Sequence, residues 1–117
     1  MNNTKITLYI PCFNAERTLK RVIEGVLSQS LPPDEIIVVD DGSQDDSASI
    51  AASFKEVTLI SHNVNRGLAA SRNTAIKASS GNFIASLDSD CIPDKDWLKK
   101  LMQHFDSPSI AMAGGTL

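Results

Sequence analysis

The chain has 117 residues, 42% of them hydrophobic and 21% charged, which is one domain's worth of chain with an ordinary core-forming composition. Eleven Lys and Arg against fourteen Asp and Glu leave a formal charge of −3. That excludes the basic footprint of a nucleic-acid binder, and the apolar content excludes a disordered tail. No apolar run approaches the roughly 20 residues of a membrane-spanning helix, and the polar start of the chain shows no signal-peptide pattern.

In chain order, residues 5–10 (KITLYI) are short and rich in Ile, Tyr and Thr, which predicts a strand, with Pro11 at its end where a missing donor does little harm. Residues 15–30 predict a helix, because Leu19, Val22, Ile23, Val26 and Leu27 share one face. Asn14 is placed to cap it, Glu16 sits in its first turn, and Leu31-Pro32-Pro33 stops it. Residues 35–40 (EIIVVD) are a continuous apolar run before an acid, the pattern of a strand buried on both faces. Asp41-Gly42-Ser43 is a loop, and Ser43 with Asp46 predicts a capping box starting a helix through Phe54. Residues 57–60 predict a third strand and Asn65-Arg66-Gly67 a turn. Residues 68–78 predict a helix with Leu68, Arg72, Ala75 and Ile76 on one side. Residues 83–87 predict a fourth strand that runs into Asp88-Ser89-Asp90. A helix over 96–105, with Trp97, Leu98, Leu101, Met102 and Phe105 inward, and a short fifth strand over 110–113 complete the pattern.

Strands and helices thus alternate, which predicts an α/β fold with a mostly parallel sheet of about five strands and helices on both faces. Ligands of such sheets bind outside the carboxyl ends of the strands. The segments there are Pro11-Cys12-Phe13-Asn14, Asp40-Asp41-Gly42-Ser43, residues 61–67 and Asp88-Ser89-Asp90. Two acidic pairs far apart in sequence therefore face one cleft. An isolated acid-x-acid is a common solvated turn. At the end of a buried strand, Asp88 and Asp90 instead suit a hard divalent cation, Mg²⁺ or Mn²⁺, which takes one or two carboxylates with water and phosphate. Asp41 only accepts hydrogen bonds, so it suits a ring N–H or a ribose hydroxyl. Arg66 reads equally as a diphosphate contact or as an exposed surface charge, and Arg72, within a helix, reads rather more as a surface charge than as a diphosphate contact. His62 and His104 show no pairing that suggests a triad or zinc and read as structural. Cys12 and Cys91, without metal-ligand spacing, read as small buried hydrophobes and fit a reducing compartment.

Residues 10–16 (IPCFNAE), Ser28-Gln29-Ser30 and residues 38–43 (VVDDGS) resemble the start of a family 2 glycosyltransferase with the GT-A fold. Residues 65–73 (NRGLAASRN) and Leu87-Asp88-Ser89-Asp90, with Pro93 and Trp97-Leu98, are similar to that family's next blocks. The resemblance implies a Rossmann-like GT-A half that binds a nucleotide-diphosphate sugar, a UDP-sugar first, and transfers the sugar with inversion. It implies that Pro11, Phe13 and Asn14 lie at the nucleotide, that Asp41 accepts from the uracil ring, and that Asp40 supports that loop. It places Arg66 or Arg72 near the phosphates, Asp88 and Ser89 on the ribose or sugar side, and Asp90, with Asp88, on Mn²⁺ or Mg²⁺. The family's general base and much of its acceptor pocket come later than residue 117, so residues 1–117 read as the donor-binding part of a longer domain. The acceptor is a glycan, a lipid-linked sugar or a protein. The full protein is expected in the cytoplasm, peripheral at the inner face of the membrane, and a homodimer through an exposed sheet edge is expected. The competing reading is a non-catalytic nucleotide-binding module. A nicotinamide-binding domain is excluded by the missing G-x-G-x-x-G after the first strand.

Overall fold

The structure, a computed structural model, describes residues 4–104. Four strands, β1 (Ile6–Cys12), β2 (Glu35–Asp40), β3 (Val57–Ser61) and β4 (Phe83–Ser86), alternate with four helices, α1 (Leu19–Leu27), α2 (Ser47–Ala52), α3 (Leu68–Ala78) and α4 (Trp97–Met102). All pairings are parallel, in the order β3-β2-β1-β4. The fifth strand expected over 110–113 lies outside the described residues, as does Phe105. No helix among the described residues is long and apolar enough to cross a membrane.

The continuous apolar runs of β1 and β2 are buried on both faces, as a parallel sheet between helix layers requires. Ile6, Leu8, Ile10 and Cys12 of β1, with Ile36 and Val38 of β2, face one core together with Leu19, Val22, Ile23 and Val26 of α1 and Trp97 and Leu98 of α4. Tyr9, Ile37, Val39 and Ile84 face a smaller core closed by Ala75 of α3. The strand order reverses between β1 and β4. The chain steps outward from β1 to β2 and β3, then returns to the other side of β1, and such a switch opens a crevice at the strand ends.

Several element boundaries differ from expectation, each for a visible reason. β1 continues through Pro11 to Cys12. The Cys12 carbonyl accepts from Asp41 N on the β2 side, and the Tyr9 carbonyl accepts from Leu87 N on the β4 side. Alternate residues of a parallel strand bond to opposite neighbours, so Pro11 turns its donorless nitrogen toward β4, past the Tyr9–Ser86 pair where that ladder ends. Helix α1 starts at Leu19 rather than near residue 15, and Thr18, not Asn14, is its N-cap. The Asn14, Ala15 and Glu16 N–H groups are instead taken by Ser43 Oγ, Ser47 Oγ and Asp45 Oδ2. Glu16 does not serve its own helix either. Its Oε1 accepts from the N–H of Asp46, the N-cap of α2. The Ser43–Asp46 capping box does not form, because Ser43 Oγ is committed to Asn14 and α2 begins at Ser47. Helix α3 spans its expected range, but Leu68 and Arg72 are exposed and the small residues Ser71 and Ala75 are the buried ones.

Candidate functional site

A cleft of about 740 Å³ lies at the carboxyl edge of the sheet, and segments after all four strands contribute to its lining. Pro11, Phe13, Asn14, Asp41, Asp88, Ser89 and Asp90 all line it, so most residues singled out from the sequence come together. Asp40 is buried behind the cleft, where Oδ1 accepts from Ser43 N at 3.3 Å and its carbonyl accepts from His62 N at 2.9 Å. The side chains of Arg66 and Arg72 are exposed and are not part of the lining.

The Asp41 carboxylate is the most constrained group of the cleft. Its side chain is 7% exposed. Oδ1 accepts from His62 Nδ1 and from Arg66 N, each at 2.8 Å, and Oδ2 accepts from Gly67 N at 2.8 Å. Burial pushes this carboxyl up, and the three hydrogen bonds outweigh that penalty and hold it below the ordinary range. The sheet register explains the first partner. Asp40 stands opposite Ser61, so the next residues, Asp41 and His62, leave the sheet side by side. The ring is fixed at its far end by Thr74 Oγ1 of α3, 2.8 Å from Nε2. His62, read from the sequence as structural and without a pairing that suggests a triad or zinc, is thus held between Asp41 and Thr74.

The other walls are tied in the same way. Asn14 adopts φ 50°, a conformation that asparagine tolerates better than most residues. Its Oδ1 accepts from Gln44 N at 2.9 Å, which locks the β1 loop to the β2 loop. Thr18 Oγ1 donates to the Ser89 carbonyl at 2.8 Å and so pins the Asp88-Ser89-Asp90 segment to the start of α1. Behind that segment, buried Gln29 donates from Nε2 to the Asp94 carbonyl at 2.6 Å and accepts from Leu98 N at 2.9 Å. The Cys91 thiol is half-buried rather than buried. Partial burial, then the neighbouring Asp90 and Asp88 carboxylates, push it up, which argues against a thiolate nucleophile. Buried Cys12 is likewise pushed up, by burial first, and behaves as the small core residue expected.

The cleft carries five carboxylates, Glu16, Asp41, Asp45, Asp88 and Asp90, against one guanidinium, Arg17. Two apolar side chains, Phe13 at 50% exposure and Leu68 at 77%, stand at its rim. Ser71 Oγ is buried at the cleft and is the one buried side-chain polar atom without a partner among the described residues. No cluster of three or more His, Cys, Asp or Glu suited to a metal occurs among the described residues. Asp88 and Asp90 in this cleft still match the donor set of Mg²⁺ or Mn²⁺, whose remaining ligands are water and substrate oxygen.

The family model for glycosyl transferase family 2 matches residues 7–117. The chain belongs to that family. Among curated relatives, glycosyltransferase AglE of Haloferax volcanii is 31% identical over 118 residues, covering 96% of this chain and 39% of its own length. The UDP-Glc:alpha-D-GlcNAc-diphosphoundecaprenol beta-1,3-glucosyltransferase WfgD of Escherichia coli is 37% identical over 94 residues, covering 79% of this chain and 37% of its own. Among solved structures, S. aureus TarS 1–349 in complex with UDP superposes with a TM-score of 0.75 at 26% identity, over 86% of this chain and 32% of that one. The mannosyltransferase PcManGT of Pyrobaculum calidifontis, in complex with GDP-Man and Mn²⁺, gives 0.82 at 25% identity, over 92% and 34%. The fold is therefore of the GT-A type, and the chain spans well under half the length of these relatives.

His62, Thr18, Gln29 and Ser71 were not singled out as site residues by sequence reasoning. Signals existed for His62, because residues 61–67 follow a strand, and for Gln29, which lies in the family-like segment Ser28-Gln29-Ser30. Thr18 and Ser71 act through a partner from a distant segment or through burial, which local pattern does not encode.

Proposed function

We propose that residues 1–117 form the donor-binding part of an inverting, divalent-metal-dependent glycosyltransferase whose donor is a UDP-sugar. The observation that carries this reading is that Asp41 and the Asp88/Asp90 pair, from opposite halves of the chain, line one cleft at the switch point of the sheet. A planar base has an acceptor in Asp41 and apolar rims in Phe13 and Leu68. The diphosphate then lies toward Asp88 and Asp90, where like charges demand a counter-ion. Asp90, with Asp88, would hold Mn²⁺ or Mg²⁺ there, and the bound ion supplies charge neutralisation for the leaving diphosphate. Asp40 and Asn14 act as supports, holding the β2 loop against the β1 loop through Ser43 and Gln44. Arg66 and Arg72 are exposed outside the cleft lining and are assigned no direct contact with the donor here. Inversion needs an acceptor hydroxyl deprotonated by a general base that we place after residue 117. The name of WfgD supports a lipid-diphosphate-linked sugar as one acceptor class.

Calorimetric titration of UDP with and without Mn²⁺, on the chain and on Asp90→Ala, tests the reading. Binding that needs Mn²⁺ and weakens by about tenfold or more in Asp90→Ala is expected, the scale of a lost charge-assisted contact. UDP binding indifferent to both metal and Asp90 would overturn the metal assignment, and absence of any nucleotide binding would overturn the donor assignment.

A further inference from the structure

Asp41 has more partners than a ligand-reading carboxylate needs, and their distribution is informative. An ionised carboxylate offers about four acceptor positions. Three are filled from within the chain: His62 Nδ1 and Arg66 N on Oδ1, and Gly67 N on Oδ2. A carboxylate accepts only, so the ring proton of His62 stands on Nδ1. In the neutral ring, Nε2 then accepts from Thr74 Oγ1, 2.8 Å away. The side chains of His62 and Asp41 are 6% and 7% exposed, so water does not compete for this pair.

We infer that His62 is a positioning residue that fills Oδ1 of Asp41 and leaves one acceptor, on Oδ2, for a base that presents a single ring N–H. This rests on the donor-nucleotide reading above and adds base specificity to it. Uracil meets the condition, with one N–H between two carbonyls. Guanine does not, because its ring N–H and its adjacent amino group together need two acceptors, and the second donor would be buried without a partner. Thr74, by holding Nε2, keeps the imidazole from turning away, so Thr74 takes part in base recognition without touching the base.

The test compares UDP, UDP methylated at the base N–H, and GDP, all in the presence of Mn²⁺, on the wild-type chain, His62→Phe and His62→Asn. The Asn amide nitrogen stands where Nδ1 stands in the ring, so it preserves the donor, whereas Phe preserves ring volume and removes it. The wild type is expected to bind UDP about tenfold or more tighter than either other nucleotide, the effect of one hydrogen bond to a charged acceptor. In His62→Phe a second acceptor opens on Oδ1, so the gap between UDP and GDP shrinks to less than about threefold, and in His62→Asn it persists. A His62→Phe variant that keeps the full gap between UDP and GDP overturns the inference, because a merely structural role weakens both alike. So does a His62→Asn variant that loses the gap, which keeps the question decidable if His62→Phe does not fold. A wild type that binds GDP as tightly as UDP overturns the single-acceptor inference but leaves the donor-site reading standing. A wild type that binds none of the three overturns both.

Discussion

Asp41 is buried, ionised and hydrogen-bonded by three donors, and its acid response follows from that. Its folded-state pKa lies below the ordinary aspartate value of 3.8, so its contribution to stability is complete above that value. The contribution is lost as pH falls through the lower, folded-state pKa. Asp41→Asn keeps the size but offers one acceptor oxygen to three donors. The stability gap between wild type and Asp41→Asn is therefore expected to be constant near neutral pH and to narrow in acid below the ordinary carboxylate range. Thermal midpoints of both proteins across that range measure it, and a gap that stays the same into acid unfolding would remove the linkage. The glycines beside Asp41 carry a second prediction. Gly67 has φ 96° and ψ 170°, a region close to glycine-only, although nothing lies within 4 Å of an added Cβ. Gly67→Ala is expected to cost about 1–3 kcal/mol through strain alone. Gly42, at φ 79°, adds a Cβ contact of 2.6 Å with Asn65 N, so Gly42→Ala should cost more. Urea unfolding of both variants decides the order, and a Gly67→Ala chain as stable as the wild type would contradict the backbone geometry at that turn.

The elements show what holds the site's loops in place. The β1 and β2 loops are joined by hydrogen bonds between residues 14–16 and residues 43–47. The acidic loop after β4 is tied to α1 through Thr18 and, farther back, through Gln29. β2 was legible in the sequence because a strand buried on both faces is an unbroken apolar run, and α3 was legible because Gly67 and Ser80-Gly81 bracket it. The starts of α1 and α2 were not, because the donors at those helix starts are satisfied by side chains some thirty residues away. The acidic pairs were legible as a site because the α/β pattern fixes which strand ends share an edge. His62 was not, because its pairing with Asp41 depends on the register of β2 with β3. Gln29 offers a direct test of the ties. Gln29→Leu leaves the Leu98 N–H and the Asp94 carbonyl without their side-chain partner, at an expected cost of about 2–3 kcal/mol. Hydrogen exchange should show the Leu98 amide losing protection first, and unchanged protection there would mean that Gln29 does not hold the loop.

At the scale of the whole molecule, the two faces of the sheet carry unequal loads. The larger core joins α1, α2 and α4 to the sheet, while α3 alone closes the smaller one, seated on small buried residues. Ala75 is fully buried there, and Ser71, one turn nearer the cleft, is buried too. This close seating sets the height of the α3 N-terminus, which brings Gly67 N to Asp41, Thr74 to His62 and Leu68 to the rim. A larger residue at position 75 must lift the helix, because packed interiors have little slack. Ala75→Leu is therefore expected to cost about 1–3 kcal/mol in stability. It should also weaken UDP binding in the folded protein, although residue 75 touches no ligand. Denaturation gives the first quantity, and calorimetry at a temperature where the variant is fully folded gives the second. A stability loss with UDP affinity unchanged would show that the cleft tolerates movement of α3, and that the Asp41 contacts, rather than the seating of the helix, set the geometry of the site.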